Sequence, residues 1–226
     1  MHQAEPPPEN YSPPSATDHI LIVGAGGFGR EVFHWVRDAW ADRATLCGGF
    51  LAADPASTPC PLPIVGDPET FEPRPGDTLL LAIGIPLVRR RVAERLLARG
   101  AEFTTLVHPT AIVAPTASLG TGAIICPGAV VSDCARVGRF GLVNYHASLA
   151  HDASADDFAV LSPYATLAGG ARVAADAFLG LHASVGPGVT VGTRSKVAAN
   201  SCALADAPAD SLILGVPGRV SPLISP

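Results

Sequence analysis

The sequence contains no long hydrophobic segment. Its longest apolar runs, residues 20–23 and 78–85, are far too short to span a bilayer. No basic stretch followed by an apolar one opens the chain, so no signal peptide is predicted. We therefore expect a cytoplasmic protein with no membrane partner.

Charge is scarce as well. Charged residues make up 15% of the chain and the formal net charge is −5, so the basic footprint of a nucleic-acid-binding protein is missing. The cysteines form no C-x-x-C pair, and their odd number is typical of reduced thiols. Each is expected to be a small buried side chain. They are Cys47, Cys60, Cys126, Cys134 and Cys202.

What the sequence does have is a repeat of six residues. Sixteen hexads of the form small–x–aliphatic–x–x–x run from Ala111 to Asp206 without a break in register. The third position is Val, Leu or Ile in fourteen hexads and Ala in two, at Ala155 and Ala203. A strict period of six fits neither a helix nor a strand, but it is typical of a parallel β-helix. Three hexads make one triangular coil, so residues 18 apart are expected to stack.

Before the repeat, predicted strands alternate with predicted helices, which indicates a small Rossmann-like α/β domain. The strands are predicted at 20–23, 46–51, 64–65, 78–83 and 103–107, and the helices at 30–40 and 86–99. The predicted organisation is a disordered Pro-rich tail at 1–18, the α/β domain at 19–107, the β-helix at 108–207 and a C-terminal cap at 208–226, with residues 212–220 as a terminal strand.

A glycine motif follows the first strand. Gly24-x-Gly26-x-x-Gly29 has the spacing of dinucleotide-binding turns, in which a phosphate meets backbone N–H groups at a helix N-terminus. The domain has room for about half of a dinucleotide site, which favours a phosphate-bearing or nucleotide-linked molecule over NAD. A turn that only packs the helix against the sheet remains an alternative. Gly84 is expected to face the same crevice.

The stacking of residues 18 apart places chemistry at one corner of the β-helix. His151-Asp152 should lie one coil before Gly169-Gly170, where glycines leave space and free N–H groups for a ligand. A histidine beside a carboxylate there predicts a general base next to a slot for an acyl carrier. His146 and His182 share another corner and are expected to be exposed turn residues.

A metal site is a weaker alternative. The spacing of His146 and His151 resembles that of gamma-class carbonic anhydrases, but the third histidine would fall at Thr110, which does not replace a nitrogen ligand. We therefore predict no metal.

In these features the chain resembles the bacterial sugar O- and N-acetyltransferases that include sialic acid O-acetyltransferase and nucleotide-aminosugar N-acetyltransferases. The resemblance covers residues 19–220 and rests on a series of segments in a fixed order. These are 22–29, Ala82-Ile83-Gly84 with Arg89, His108-Pro109, 144–152, 161–163, 167–170, 178–180 and 214–217.

The resemblance implies a homotrimer of left-handed β-helices with acetyl-CoA bound between neighbouring subunits. It implies that His151 is the catalytic base, that Asp152 assists it and that Asn144 lies near the acceptor. The positions implied to line the acetyl-CoA channel are Gly169, Leu181 and Ala199. Those implied to hold the sugar nucleotide are Gly26, Gly27, Phe28 and Gly84.

The chain departs from the family pattern at several positions. Val160 stands where some members carry a second histidine, and Ala52-Ala53, followed by Asp54, stands where some carry an Asp pair that contacts the nucleotide. Ile85 and Pro86 replace residues that are often Asn or Asp. The acceptor is therefore expected to be a different sugar nucleotide, or a sugar without a nucleotide.

The sequence thus predicts an acetyltransferase that uses acetyl-CoA to modify an amino or hydroxyl group of a sugar by direct transfer. A non-catalytic ligand-binding scaffold protein is the main alternative, because a solenoid can lose its chemistry and keep its groove. A carbonic-anhydrase-like metalloenzyme is the lesser one.

Overall fold

The computed structural model describes Ser15 and residues 19–53 and 60–223. The predicted tail, apart from Ser15, and Asp54 lie outside the described residues. The chain begins with a small α/β unit and continues as a left-handed parallel β-helix, as the sequence predicts.

The α/β unit is built on a five-stranded parallel sheet in the order β3-β2-β1-β4-β5. Its strands are β1 His19–Val23, β2 Cys47–Leu51, β3 Ile64–Gly66, β4 Asp77–Leu81 and β5 Glu102–Phe103. Its helices are α1 Gly27–Ala39 and α2 Pro86–Leu97, with a short 3₁₀ helix at Ala41–Leu46. The two central strands, β1 and β4, read as continuous apolar runs because helices cover both faces of a parallel sheet.

The largest departure from prediction is the strand expected at 103–107, which is wrong as a single strand. Glu102–Phe103 pairs with β4, whereas Leu106–Val107 pairs with Ile124–Ile125 of the β-helix. Thr104 and Thr105 separate them, and the Thr105 hydroxyl donates to the Gly120 carbonyl at 3.2 Å. The chain therefore changes sheets at Thr104-Thr105, in the middle of a segment that reads as one strand.

Smaller differences concern element ends. α1 begins at Gly27 rather than at residue 30, β4 covers Asp77–Leu81 rather than 78–83, and α2 ends at Leu97.

The β-helix consists of two-residue strands, each paired in parallel with the strands 18 residues before and after it. The first face carries β6 Leu106–Val107, β9 Ile124–Ile125, β12 Leu142–Val143, β15 Val160–Leu161, β18 Phe178–Leu179 and β21 Lys196–Val197. The second carries β7 Ile112–Val113, β10 Val130–Val131, β13 Ser148–Leu149, β16 Thr166–Leu167, β19 Ser184–Val185 and β22 Cys202–Ala203. The third carries β8 Ser118–Leu119, β11 Arg136–Val137, β14 Ser154–Ala155, β17 Arg172–Val173 and β20 Thr190–Val191.

Three corners join these faces. We call the corner between the first and second faces, which includes Tyr145 and His146, the first corner. The second corner, with His151 and Asp152, joins the second face to the third. The third corner, with Asp157 and Phe158, joins the third face to the first.

The third hexad position points into the prism and forms its core. Leu149, Leu161 and Leu167 are fully buried, as are the alanines at most first positions, such as Ala147 and Ala165. Each buried Leu or Val contributes about 1.5–3 kcal/mol of transfer free energy. Alanine suits the first position because the three walls approach each other closely beside each corner.

Corners require a left-handed backbone. Ten non-glycine residues at the last hexad position, from Cys134 to Asn200, have φ between 55 and 63°. Glycine occupies the same position at Gly122, Gly128, Gly170 and Gly188.

A hairpin ends the solenoid. β23 Ser211–Leu214 continues the first face in parallel beside β21, and β24 Arg219–Pro222 then runs antiparallel to β23. The terminal strand predicted at 212–220 is therefore two strands joined by a turn.

The α/β unit packs on the first face and the third corner. Trp35 and Val36 of α1 form one buried cluster with Leu142 and Val160, so the position where some family members carry a second histidine is a packing position here. At the third corner Phe140 stacks on Phe158 at 4.9 Å and meets Phe103 edge-on. Of the helices in the described residues, neither is long and apolar enough to cross a bilayer.

Candidate active site

The carboxyl ends of β1 and β4 open a crevice in the α/β unit. The chain order of the sheet reverses between these two strands, which is where ligands of open α/β sheets bind. Gly24 has φ of 111°, and a Cβ there would lie 2.6 Å from the Ala82 carbonyl oxygen. A Cβ at Gly29 would overlap the Gly24 carbonyl. These two glycines serve the packing of helix and strand.

Two further glycines of the crevice, Gly26 and Gly84, face open space. No atom lies within 4 Å of where a Cβ would stand at Gly26 or Gly84. Gly26 is the N-cap of α1, no side chain caps the helix, and its first turn holds no acidic residue. The N-terminal N–H groups of α1 are thus available to an anion.

Two residues near this helix terminus have distinct surroundings. The Phe28 ring packs edge-on against Trp35 at 5.8 Å, so much of it belongs to the core. The Arg30 guanidinium reaches back to within 3.9 Å of the Cβ position of Gly27. The sequence analysis missed Arg30, although a basic residue directly after the glycine motif was the available signal.

The second corner carries the predicted histidine–carboxylate pair. His151 Nδ1 lies 2.9 Å from Asp152 Oδ2, and the two side chains are 71% and 67% exposed. A carboxylate only accepts hydrogen bonds, so Nδ1 is the donor and, in the neutral ring, Nε2 keeps its lone pair. The pair therefore presents an exposed basic nitrogen to solvent.

The glycines stacked beside His151 leave less room and fewer free N–H groups for a ligand than predicted. A Cβ at Gly169 would lie 2.6 Å from both Cε1 and Nε2 of His151, so the missing side chain makes room for the imidazole itself. The N–H groups of Gly170 and Gly188 are not free, because they donate to the carbonyls of His151 and Gly169 at 3.0 Å. Within the described residues, the Gly169 N–H has no acceptor.

Another carboxylate stands one coil before His151. Asp133 accepts a hydrogen bond from the Thr116 hydroxyl at 2.5 Å, and its carbonyl accepts from the Asp152 N–H at 3.0 Å. The sequence analysis missed this support for the corner, which the stacking of residues 18 apart could have revealed.

The first corner holds the remaining site residues. Asn144 is half-buried and its Oδ1 accepts from the Tyr145 N–H at 2.8 Å, while Leu181 and Ala199 are exposed. His146 and His182 are exposed, as expected, and stack on either side of Tyr164 at 5.0 and 4.7 Å.

One chain therefore does not assemble all the predicted residues. His151, Asp152 and Gly169 lie at the second corner, whereas Asn144, Leu181 and Ala199 lie at the first. The width of the second face, β13 in the coil of His151, separates them.

None of the five cysteines forms a disulfide. Burial raises the pKa of Cys47 to about 11 and that of Cys126 well above its ordinary value, so both stay protonated at neutral pH. The prediction that every cysteine is buried is wrong for Cys134, whose corner position exposes it. No three His, Cys, Asp or Glu side chains in the described ranges are grouped closely enough to hold a metal ion.

Known proteins share both parts of this architecture. The sequence model of the PglD N-terminal domain matches residues 19–96. No curated protein sequence matches the chain.

Solved structures match most of its length. PerB from Caulobacter crescentus, in complex with CoA and GDP-perosamine, is 30% identical, with 89% of this chain and 96% of that chain covered and a TM-score of 0.79. A histidine-to-asparagine variant of perosamine N-acetyltransferase from the same organism, with the same two ligands, is 28% identical over 89% and 96%, with a TM-score of 0.80. The acetyltransferase domain of PglB from Neisseria gonorrhoeae FA1090, in complex with acetyl coenzyme A, is 27% identical over 90% and 100%, with a TM-score of 0.81.

Proposed function

The chain belongs to the sugar acetyltransferases of the hexapeptide-repeat family, and from this premise we propose that it transfers acetyl from acetyl-CoA directly to a nucleotide-linked sugar, with His151 as general base. The chain is thus an acyltransferase. The observation that carries the proposed mechanism is the exposed His151–Asp152 pair beside Gly169.

The proposed reaction needs one base and one donor. An amino or hydroxyl group of the sugar attacks the thioester carbon, Nε2 of His151 takes its proton, and the C–S bond breaks. The proton then passes to the departing CoA thiolate. Asp152, which accepts from Nδ1 at 2.9 Å, stabilises the imidazolium that forms.

The free Gly169 N–H is the proposed donor to the thioester oxyanion. It lies next to the imidazole, so base and oxyanion donor would act on the same carbon. No cysteine nucleophile takes part, which agrees with the protonated state of Cys126.

The acceptor is proposed to bind at the crevice of the α/β unit, with its phosphates on the N-terminus of α1. The open space at Gly26 and Gly84, the position of Gly27 beside the Arg30 guanidinium, and the uncapped helix support this placement. Phe28 would contact the acceptor with the edge of its ring. The GDP-perosamine bound to the Caulobacter relatives supports a nucleotide sugar as the class of acceptor.

The active site is proposed to form between subunits of a homotrimer. A second copy would bring the first-corner residues Asn144, Leu181 and Ala199 to the second-corner residues His151 and Gly169. The outward column of the second face supports such an interface because it carries no charge. It consists of Ile112, Val130, Ser148, Thr166, Ser184 and Cys202.

Thiol release from acetyl-CoA, measured against a panel of nucleotide-linked amino sugars and free sugars, tests the function. His151→Ala should lower kcat by at least about a hundredfold while acetyl-CoA still binds, because the base is lost and the groove is kept. Mass spectrometry of the product distinguishes an amide from an ester.

His19→Ala is the matched control. His19 is another exposed histidine beside a carboxylate, 3.8 Å from Asp77, but it lies at the opposite end of β1 from the crevice. A His151→Ala variant that turns over at the rate of His19→Ala would remove His151 from the mechanism.

A further inference from the structure

Arg89 is the one charged side chain of α2 that is completely buried. Its Nε donates to the Phe140 carbonyl at 2.7 Å. Its Nη1 donates to the carbonyls of Leu81 at 2.5 Å and Ile83 at 2.9 Å. One guanidinium thus holds three main-chain oxygens.

Within the part of the chain that the structure describes, no group of opposite charge pairs with this cation. No described carboxylate forms an ion pair with Arg89, and its Nη2, also buried, has no hydrogen-bond partner. Burial lowers the pKa of Arg89 to about 9, so the side chain still carries its charge at neutral pH. Burying an unpaired charge opposes folding, so overall stability is a poor explanation for an arginine here.

The three acceptors belong to different parts of the molecule. Leu81 is the last residue of β4, and Ile83 precedes Gly84 in the turn that forms one wall of the crevice. Phe140 lies at the third corner, in the coil before that of His151. Arg89 therefore fastens the wall of the crevice to the β-helix.

We propose that Arg89 is a positioning residue for the acceptor: through the main chain, it fixes the Ile83–Gly84 turn relative to the β-helix that carries the chemistry. The inference rests on the proposed function in placing the acceptor at this turn. Arginine is required because its planar fork reaches several oxygens at fixed angles, whereas a lysine ammonium is one point on a flexible stem.

Steady-state kinetics of Arg89→Lys and Arg89→Met test this role, with Arg90→Met as the control. Arg90 also joins α2 to the β-helix, through Asp176 at 2.7 Å and the Phe158 ring at 4.2 Å, but among the described residues its side chain forms no hydrogen bond with the turn. Both Arg89 variants should raise the KM for the acceptor by about tenfold or more and leave the KM for acetyl-CoA within about twofold. Arg90→Met should change neither.

A purely structural role predicts a different pattern. If Arg89→Lys lowers only kcat, or if Arg90→Met raises the acceptor KM equally, Arg89 does no more than dock the two units and the proposal fails. Arg89→Lys keeps the test valid if Arg89→Met does not fold.

Hydrogen exchange separates this inference from the proposed function. Amides at 82–85 in the unliganded protein should exchange about tenfold faster or more in Arg89→Lys than in Arg90→Met, because only the first variant releases the turn. Equal exchange overturns the inference whatever the acceptor is. Faster exchange in a protein that acetylates no nucleotide sugar would uphold the positioning of the turn and place the error in the assigned acceptor.

Discussion

At the scale of single residues, the space that a glycine leaves determines the position of a neighbouring imidazole as much as hydrogen bonding does. The His151 imidazole lies where a side chain at Gly169 would be. The His146 imidazole likewise lies where a side chain at Gly128 would be. A glycine in an adjacent coil, one coil after His151 and one coil before His146, thus leaves the space that a corner ring occupies. At the second corner, that direction brings Nε2 beside the free Gly169 N–H.

Gly169→Ala should lower kcat by about tenfold or more, because its methyl would meet Cε1 and Nε2 of His151 at 2.6 Å and displace this proposed base. The measurement is thiol release at saturating acetyl-CoA. Gly128→Ala is the control for activity: its methyl would meet Nδ1 of His146 at 2.6 Å, away from the proposed base, and its φ of 67° adds left-handed strain that Gly169→Ala lacks. A Gly169→Ala enzyme as fast as Gly128→Ala would show that the ring position is unimportant.

The sequence predicted the meeting of His151, Asp152 and Gly169 because stacking follows from an exact period. It did not predict that the imidazole fills the space beside Gly169, because the six-residue period carries no information about side-chain rotamers. The engaged N–H groups of Gly170 and Gly188 were missed for a related reason: inter-coil bonding at corners depends on backbone geometry and not on residue type.

At the scale of elements, the corners store conformational strain. Left-handed backbone costs an L-residue about 1–2 kcal/mol, and most coils accept that cost at a non-glycine residue. The burial of the aliphatic side chains on the two-residue strands offsets this conformational cost.

Cys134→Gly should therefore raise the free energy of unfolding by about 1 kcal/mol, because Cys134 has φ of 55° and an exposed side chain. Ser132→Gly, in the same turn but outside the left-handed region, should lower it by about 0.5–1 kcal/mol. Chemical denaturation of the two variants compares them. Destabilisation of similar size in both would mean that the corner is not strained.

The strands were predicted correctly where the six-residue period held, and wrongly where neighbouring residues pair with different sheets. The sixteen hexads predicted the strands from β7 to β22, since each third position lies in the core. Residues 103–107 are all typical of strands, yet they belong to two sheets. Leu106 pairs with Ile124, 18 residues later, so the period of the β-helix already applies one hexad before Ala111.

At the scale of the whole molecule, the residues assigned to one site stand at two corners, and an uncharged face lies between them. A single chain cannot close this distance, because a face is a rigid, hydrogen-bonded sheet. The proposed trimer accounts for both observations.

Thr166→Arg should convert the proposed trimer to monomers and abolish turnover, because Thr166 is exposed in the middle of the uncharged column and an arginine there would bury an unpaired charge in the proposed interface. Light scattering during size-exclusion chromatography measures the mass. Thr190→Arg, on the third face that already carries Arg136 and Arg172, should remain trimeric. A trimeric and fully active Thr166→Arg protein would exclude the second face as the interface.

The hairpin that ends the solenoid has a consequence for fibre formation. A stack of parallel strands ends in unpaired N–H and C=O groups, and two such ends could join and propagate. β24 reverses direction, is exposed along its length and ends at Pro222, which has no N–H to offer. The first face therefore presents an edge that no parallel coil of a second molecule can extend in register.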